Sequence, residues 1–243
     1  MRCNGAASAR LSGSRHAICA TQLQHLYAKS LLIWTRRSCG LCSCQLVPLD
    51  ENPGVRPIGI CEPLRRIVGK AIMVIAAPAI QEVAGSLQLC SGQHGGCEAA
   101  ARAIRTMFAA EETDGVLLVD ATNAFNSLNR SVALPNTQRL CPTIAPTLIN
   151  TYRGQAELFV MGKVILSREG TTQGDPLAMA MYALAVVPPL RSIRIVGAAQ
   201  VWLAEDASAS AYLDSLRQWW DALVDKGPAY GYFPNAPKKR GWL

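Results

Sequence analysis

The spacing of apolar residues predicts a chain of helices and short strands from about residue 50 onward. Apolar positions recurring every three or four residues predict five helices, over residues 63–85, 97–112, 145–154, 176–187 and 209–227. Pro78 lies inside the first of these helices and predicts a break there. Pro176 instead suits the first turn of the fourth helix, where a missing N–H costs nothing.

Short apolar runs predict the strands. "ELFVMGKVILS" (157–167) predicts a hairpin that turns at Met161-Gly162. "DGVLLVD" (114–120) and "QVWLAED" (200–206) predict two buried strands, each of which ends on an acid. Together with the helices, these strands predict an α+β fold.

The acids at the two strand ends, Asp120 and the pair Glu205-Asp206, are the first candidates for chemistry. If the strands are neighbours in one sheet, with the small residues 207–210 as a hairpin tip, the three carboxylates converge. Concentrated negative charge is costly unless cations neutralise it. Two Mg²⁺ ions about 3.5–4 Å apart are the arrangement that activates an attacking oxygen in phosphoryl transfer. Taken singly, Asp120 could cap a helix, and Glu205-Asp206 could be a polar turn.

Composition narrows the class of protein. Half of the 243 residues are hydrophobic, which excludes a disordered chain. The longest apolar runs, 71–80 and 176–190, contain Pro and are shorter than the roughly 20 residues of a membrane helix, so we expect no membrane partner. The net charge of +7 suits a polyanion such as nucleic acid. Nine Cys without a secretory signal predict reduced thiols and an intracellular protein.

The first 45 residues differ from the rest. Residues 1–49 contain Arg and Lys but no Asp or Glu, as in a mitochondrial transit peptide. No amphipathic period runs through them, however. We therefore expect a poorly ordered basic leader over 1–45 and a location in the nucleus or cytoplasm.

Five stretches in order resemble a reverse transcriptase (RNA-directed DNA polymerase) domain of the non-LTR retrotransposon kind. They are "GVRPIGICEPLRRIVGKAI" (54–72), "LLVDATNAFNSLNR" (117–130), "TTQGDPLA" (171–178), "VWLAEDASA" (201–209) and "GYFPNAPKK" (231–239). The resemblance covers residues 46–243. It implies an α+β fold in which fingers helices surround a palm of antiparallel strands, with helices backing the sheet. The chain stops soon after the last motif, so we expect partial fingers and no thumb.

The resemblance also implies roles for individual residues. Asp120, Glu205 and Asp206 would be the catalytic, metal-binding acids, with Mg²⁺ (or Mn²⁺) as two-ion cofactor. Five further residues would bind substrate: Arg56 a phosphate, Phe125 as a gate against the ribose 2′-hydroxyl, Gln173 and Gly174 the incoming nucleotide and template, and Lys238 the leaving pyrophosphate. The implied partners are an RNA template, a DNA primer and a dNTP.

One residue departs from the family pattern. Glu205 stands where the family has the first of two Asp, and its side chain is about one methylene longer than Mg²⁺ geometry favours. We therefore expect a polymerase domain impaired both by Glu205 and by truncation, as in a decayed retroelement.

Other interpretations remain open. A non-catalytic relic of a retroelement would at most bind nucleic acid weakly. A metal-dependent phosphohydrolase could use the same acids, but such sites often recruit His, and the three His all precede residue 95. Cys90, His94 and Cys97 could hold zinc, although their spacing fits no common zinc finger.

Overall fold

The computed structural model describes residues 43–50, 54–91, 93–110 and 113–235, together with Gln22. Its helices within these residues are α1 (Pro63–Ala84), α2 (Gly96–Phe108), α3 (Ala124–Ser127), α4 (Arg130–Leu140), α5 (Ala145–Tyr152), α6 (Ala178–Ser192) and α7 (Leu213–Lys226). Its strands are β1 (Cys44–Asp50), β2 (Val55–Cys61), β3 (Gly115–Val119), β4 (Ala156–Val160), β5 (Lys163–Ser167), β6 (Ala199–Leu203) and β7 (Asp206–Ala211). The predicted mixture of helices and strands is confirmed.

The strands form two sheets. One is four-stranded, with the order β2-β1-β4-β5, and β1 pairs antiparallel with β2 but parallel with β4. The other is three-stranded and antiparallel throughout, with the order β3-β7-β6. This second sheet carries the acidic residues singled out above.

Helices cover both faces of the three-stranded sheet. Helix α2 packs on one face, where Ala100 and Ile104 contact Val201 of β6. The other face joins the main core, in which α6 is apolar on nearly all sides and almost entirely buried. A helix without a polar face must lie inside the protein. Trp219 of α7 closes the same core.

Helix α1 is not broken at Pro78, so that prediction was wrong. Pro78 lies on the exposed side of the helix, where water can satisfy the carbonyl that loses its partner. Among the described residues, α1 is also the one helix long and apolar enough to span a membrane by length and composition. Its buried residues recur every third or fourth position from Arg65 to Ala84, which is typical of a helix packed on a core.

Three strands were not predicted. Strands β1 and β2 form a hairpin in a segment that the sequence marks as turn-rich, and β7 begins where small residues suggest a hairpin tip. The turn is in fact Ala204-Glu205, so residues 207–210 belong to β7 and the following helix begins at Leu213, later than predicted. Helix α4 was also missed.

The hairpin predicted over 157–167 is confirmed. Strands β4 and β5 pair from Ala156↔Ser167 to Val160↔Lys163, and Met161 and Gly162 form the turn with positive φ angles. Apart from Gln22 and residues 43–45, the predicted leader lies outside the described residues, and so does Lys238.

Candidate active site

The predicted acids meet at one end of the three-stranded sheet. Strand β3 ends opposite β7 in the pair Val119↔Ala207, so the next residues along, Asp120 and Asp206, lie at neighbouring strand ends. Neighbouring strands are about 4.8 Å apart. Glu205 occupies the two-residue turn that joins β6 to β7, next to the pair Leu203↔Asp206. The sequence predicted that the strands ending at Asp120 and at Glu205-Asp206 would be neighbours. In the structure β7 lies between β3 and β6, and Asp206, the first residue of β7, lies beside the end of β3, which Asp120 follows.

These acids line a cleft of about 600 Å³ between the sheet and α2. Helix α2 contributes Cys97, Ala100 and Ile104 to the wall. Arg56, from the start of β2, also lines the cleft. The cleft therefore combines three carboxylates with a guanidinium that can hold a phosphate by two parallel hydrogen bonds.

The electrostatics of the cleft are dominated by the clustered acids. Burial raises the pKa of Glu205, and the charges of Asp206 and Asp120 raise it further, whereas Arg56 lowers it. Burial also raises the pKa of Tyr232, and Asp120 and Asp206 add to that shift. Each shift indicates a site that disfavours further negative charge and would gain from a bound cation.

Gln88, which the sequence analysis missed, holds the acidic turn from one side. Gln88 lies on the segment that connects α1 to α2, and its side chain is fully buried. The side chain donates to the Ala204 carbonyl (3.0 Å) and accepts from the Ala204 N–H (2.8 Å). Ala204 has a φ of 54°, which is unfavourable for an L-residue. These two hydrogen bonds stabilise the conformation of the turn that carries Glu205 and Asp206.

Tyr232 holds the same turn from the other side. Its hydroxyl donates to the Glu205 carbonyl (2.9 Å), and its ring packs edge-on against Trp202. Three residues later the Asn235 N–H donates to the Asp120 carbonyl (2.8 Å). The segment after α7 therefore ties the ends of β3 and β7 together, a role for which "GYFPN" gave no local signal.

Phe125 does not lie in the cleft. Its side chain is 8% exposed and its ring stacks on Tyr182, with 4.5 Å between the centroids. Phe125 therefore lies in the structure as an aromatic residue of the core. A role as a gate for the nucleotide sugar stays a prediction.

Gln173 and Gly174 lie on a loop that packs against β2. The Gly59 N–H donates to the Gln173 carbonyl (2.6 Å). Gly174 has a φ of 102°, and a Cβ there would collide with the Gly59 carbonyl. The backbone of Gly174 therefore lies close to β2, and contact of Gln173 and Gly174 with a nucleotide or template stays a prediction.

A buried ion pair fixes this loop. Asp175 follows Gly174 and accepts hydrogen bonds from the Arg65 guanidinium of α1 and from the Tyr152 hydroxyl of α5. Its second oxygen accepts from the Leu177 N–H (3.1 Å), immediately before α6. Four segments of the chain are thus joined at one carboxylate, and burial without such partners would be costly.

No group of three or more His, Cys, Asp or Glu lies close enough to hold a metal ion within the described ranges. Neither the predicted set of Asp120, Glu205 and Asp206 nor the possible zinc site at Cys90, His94 and Cys97 therefore gains support as a ready-made metal site. Asp120 and Asp206 supply the hard oxygen ligands that Mg²⁺ prefers. Such ions are commonly bound by one or two carboxylates together with substrate phosphates and water.

Comparison with known proteins bears on the fold. No protein-family model and no curated protein matches this chain. Among solved structures, it is similar to apo telomerase from Candida tropicalis truncated from the C-terminal domain, with a TM-score of 0.60, 12% identity, and coverage of 84% of this chain and 50% of that one. It is also similar to Candida albicans telomerase in complex with a TWJ fragment of telomeric RNA, with a TM-score of 0.57, 11% identity, and coverage of 82% and 41%.

The similarity extends to the fold alone. Telomerase has a reverse-transcriptase-like fold, and the described chain shares that fold. The chain spans half or less of the length of these solved telomerase chains.

Proposed function

We propose that this chain is the polymerase domain of a retroelement, which joins a dNTP to a DNA primer on an RNA template by reverse-transcriptase-type nucleotidyl transfer. The observation that carries the proposal is the register of β3 against β7, which sets Asp120 beside Asp206 at the mouth of the cleft that Arg56 also lines. The fold shared with telomerase supports it.

The acidic residues fit Mg²⁺ by their chemistry. Two carboxylates on adjacent strands and a half-buried neighbour with a raised pKa form a donor set of oxygens with excess negative charge. Asp120 and Asp206 would hold the ions. Bound Mg²⁺ supplies electrostatic stabilisation of the attacking and leaving oxygens in nucleotidyl transfer.

The protein's own residues orient the substrate. Arg56 binds a phosphate of the dNTP at the cleft, since its planar guanidinium matches phosphate oxygens. Helix α2 and the sheet form the walls of the cleft in which the substrate would lie. Lys238, which lies outside the described residues, would supply a positive charge to the leaving pyrophosphate.

Glu205 impairs the site because its backbone cannot shift. Gln88 and Tyr232 hold the turn on both sides, so the extra methylene of Glu205 must be accommodated by the side chain alone. Burial raises the pKa of Glu205, which further disfavours the charged form that a metal ligand needs. We therefore expect weak activity in the unmodified chain.

The presence of Glu205 at the turn also favours a second function. If Glu205 abolishes nucleotidyl transfer, the chain is a non-catalytic relic that binds nucleic acid weakly through Arg and Lys contacts to phosphate. Such binding releases counterions and weakens steeply with salt.

Nucleotide binding tests the site without requiring turnover. We expect calorimetric titration to show Mg²⁺-dependent dATP binding by the full chain, which weakens at least tenfold in Asp206→Asn. The matched control is Asp221→Asn, an exposed acid of α7 away from the cleft, and it should bind as the parent does. Equal weakening in both variants, or binding independent of Mg²⁺, would contradict the assignment of the cleft.

A further inference from the structure

Two buried cysteines face each other at the base of the β1–β2 hairpin. Cys44 and Cys61 are directly paired in the antiparallel ladder, and their Sγ atoms are 2.7 Å apart. Both side chains are almost fully buried, with exposures of 1% and 2%. Neither thiol contributes to the acidic cleft.

The backbone geometry suits a covalent link between them. Directly opposed residues in an antiparallel pair have Cα atoms roughly 4.5 or 5.5 Å apart, and both values fall within the roughly 4.4–6.8 Å range of disulfides. The observed S···S separation of 2.7 Å is only about 0.7 Å longer than an S–S bond. A disulfide would therefore form with little movement of either strand.

The surroundings make one thiol the better nucleophile. A hydrogen bond from Cys44 lowers the pKa of Cys61, and the nearby Arg65 guanidinium lowers it further. The same hydrogen bond and burial raise the pKa of Cys44, which keeps its proton. The thiolate is the reactive form of cysteine, so Cys61 reacts first and Cys44 resolves.

We propose that Cys44 and Cys61 are an oxidative modification site, at which a peroxide converts the thiol pair into a cross-strand disulfide. The Cys61 thiolate attacks one peroxide oxygen, the O–O bond breaks, and a sulfenic acid and hydroxide form. The Cys44 thiol then attacks the Cys61 sulfur, the S–S bond forms, and water leaves with the Cys44 proton. In total, two thiols and one hydrogen peroxide give one disulfide and two waters.

A small oxidant can reach the pair from the sheet edge. Strand β2 is the outer strand of the four-stranded sheet, and Ile60 and Glu62 on either side of Cys61 are exposed. Local opening of such an edge strand would expose the thiols without unfolding of the core. We therefore expect oxidation slower than that of the exposed Cys97.

The disulfide would stabilise the strand that supports the loop of residues 171–175 (TTQGD). It ties the base of the hairpin two residues from Gly59, which donates to the Gln173 carbonyl. Cross-linking residues 17 positions apart restricts the unfolded chain. We expect the Tm to rise by roughly 5–10 °C on oxidation.

Peptide mapping after hydrogen peroxide treatment tests the proposal. Cys39, Cys42, Cys44 and Cys61 share one tryptic peptide, because Arg56 precedes Pro57 and is not cleaved. Trypsin combined with cleavage after Glu51 separates Cys44, on the peptide of residues 38–51, from Cys61, so a disulfide joins two peptides. A Cys39→Ser/Cys42→Ser background leaves Cys44 as the only thiol on its peptide.

We expect the joined peptides and the rise in Tm in that background, both reversed by dithiothreitol. Adding Cys61→Ser should abolish both, whereas adding Cys97→Ser, an exposed cysteine, should change neither. The proposal would be overturned if Cys44 and Cys61 stay reduced, and are alkylated after denaturation, when peroxide treatment continues long after Cys97 is fully oxidised. It would equally be overturned if Cys44 paired with Cys90, Cys97 or Cys141 instead.

Discussion

Replacing Gln88 with Leu should destabilise the protein, because it removes the hydrogen bonds that hold the Ala204-Glu205 turn. Leu has a similar size, so the change leaves no large cavity but deletes both hydrogen bonds to Ala204, at 3.0 and 2.8 Å. A buried backbone group without a partner costs about 1–3 kcal/mol. Two such groups cost about 2–6 kcal/mol, and the longer bond to the Cys90 N–H, at 3.3 Å, adds less because it is only partly buried.

We therefore expect the free energy of unfolding to fall by about 3 kcal/mol, or the Tm by roughly 6–12 °C. Urea and thermal unfolding followed by circular dichroism would measure the change. The matched control is Gln93→Leu in the same loop, where one exposed hydrogen bond of 3.5 Å to Gly85 is lost and the change should stay within about 0.5 kcal/mol. If both variants unfold alike, Gln88 does not hold the turn in the way described.

Three further predictions use the same unfolding assay. Asp175→Asn should cost about 3–5 kcal/mol because it removes the carboxylate charge that pairs with the buried Arg65 guanidinium, and a cost near that of the exposed Asp221→Asn would contradict this. Gly170→Ala should destabilise far more than Gly162→Ala, since both glycines have positive φ but only at Gly170 would a Cβ collide with the Asn126 backbone; equal costs would refute the packing argument. Glu205→Gln should stabilise the metal-free protein at pH 7 but not at pH 4. The folded state takes up a proton between 4.5 and the raised pKa of Glu205, so stability falls as pH rises through that window. An effect of equal size at both pH values would show that the raised pKa of Glu205 is not its cause.

The sequence predicted the acids better than the sheet that carries them. Strand β3 is recognisable because "GVLLV" is a buried run rich in branched residues. Strand β7, "DASASA", has no such residues and is a strand because it lies between β3 and β6. Its alanines and serines fill the narrow space between helices on both faces, and this tertiary packing outweighs local propensity.

Two prolines are the reason that the sequence did not predict the β1–β2 hairpin. Pro48 and Pro57 are paired opposite each other, so the N–H that each lacks disrupts one and the same position of the ladder. The pairing of β1 with β4 is confined to Cys44 and Gln45, away from Pro48. A sequence pattern shows each proline singly and cannot show that they coincide.

The supporting residues of the site were beyond prediction for a different reason. Gln88 contacts Ala204 across 116 positions, and Arg65 contacts Asp175 across 110. A single polar residue on an apolar helix or loop carries no pattern that names its partner. Such contacts follow only from the packing of α1 against α6 and of the α1–α2 connection against β6.

Incorporation of a single dNTP on an RNA template with a DNA primer and Mg²⁺ tests the central claim, that Asp120 and Asp206 form a polymerase site. Three chains should be compared: the unmodified chain, Glu205→Asp, and Glu205→Asp combined with Asp206→Asn. We predict extension near background for the unmodified chain, a small but measurable gain for Glu205→Asp, whose domain is still truncated, and loss of that gain in the double variant. Extension by the double variant equal to that by Glu205→Asp, or no extension by any of the three chains, would contradict the assignment.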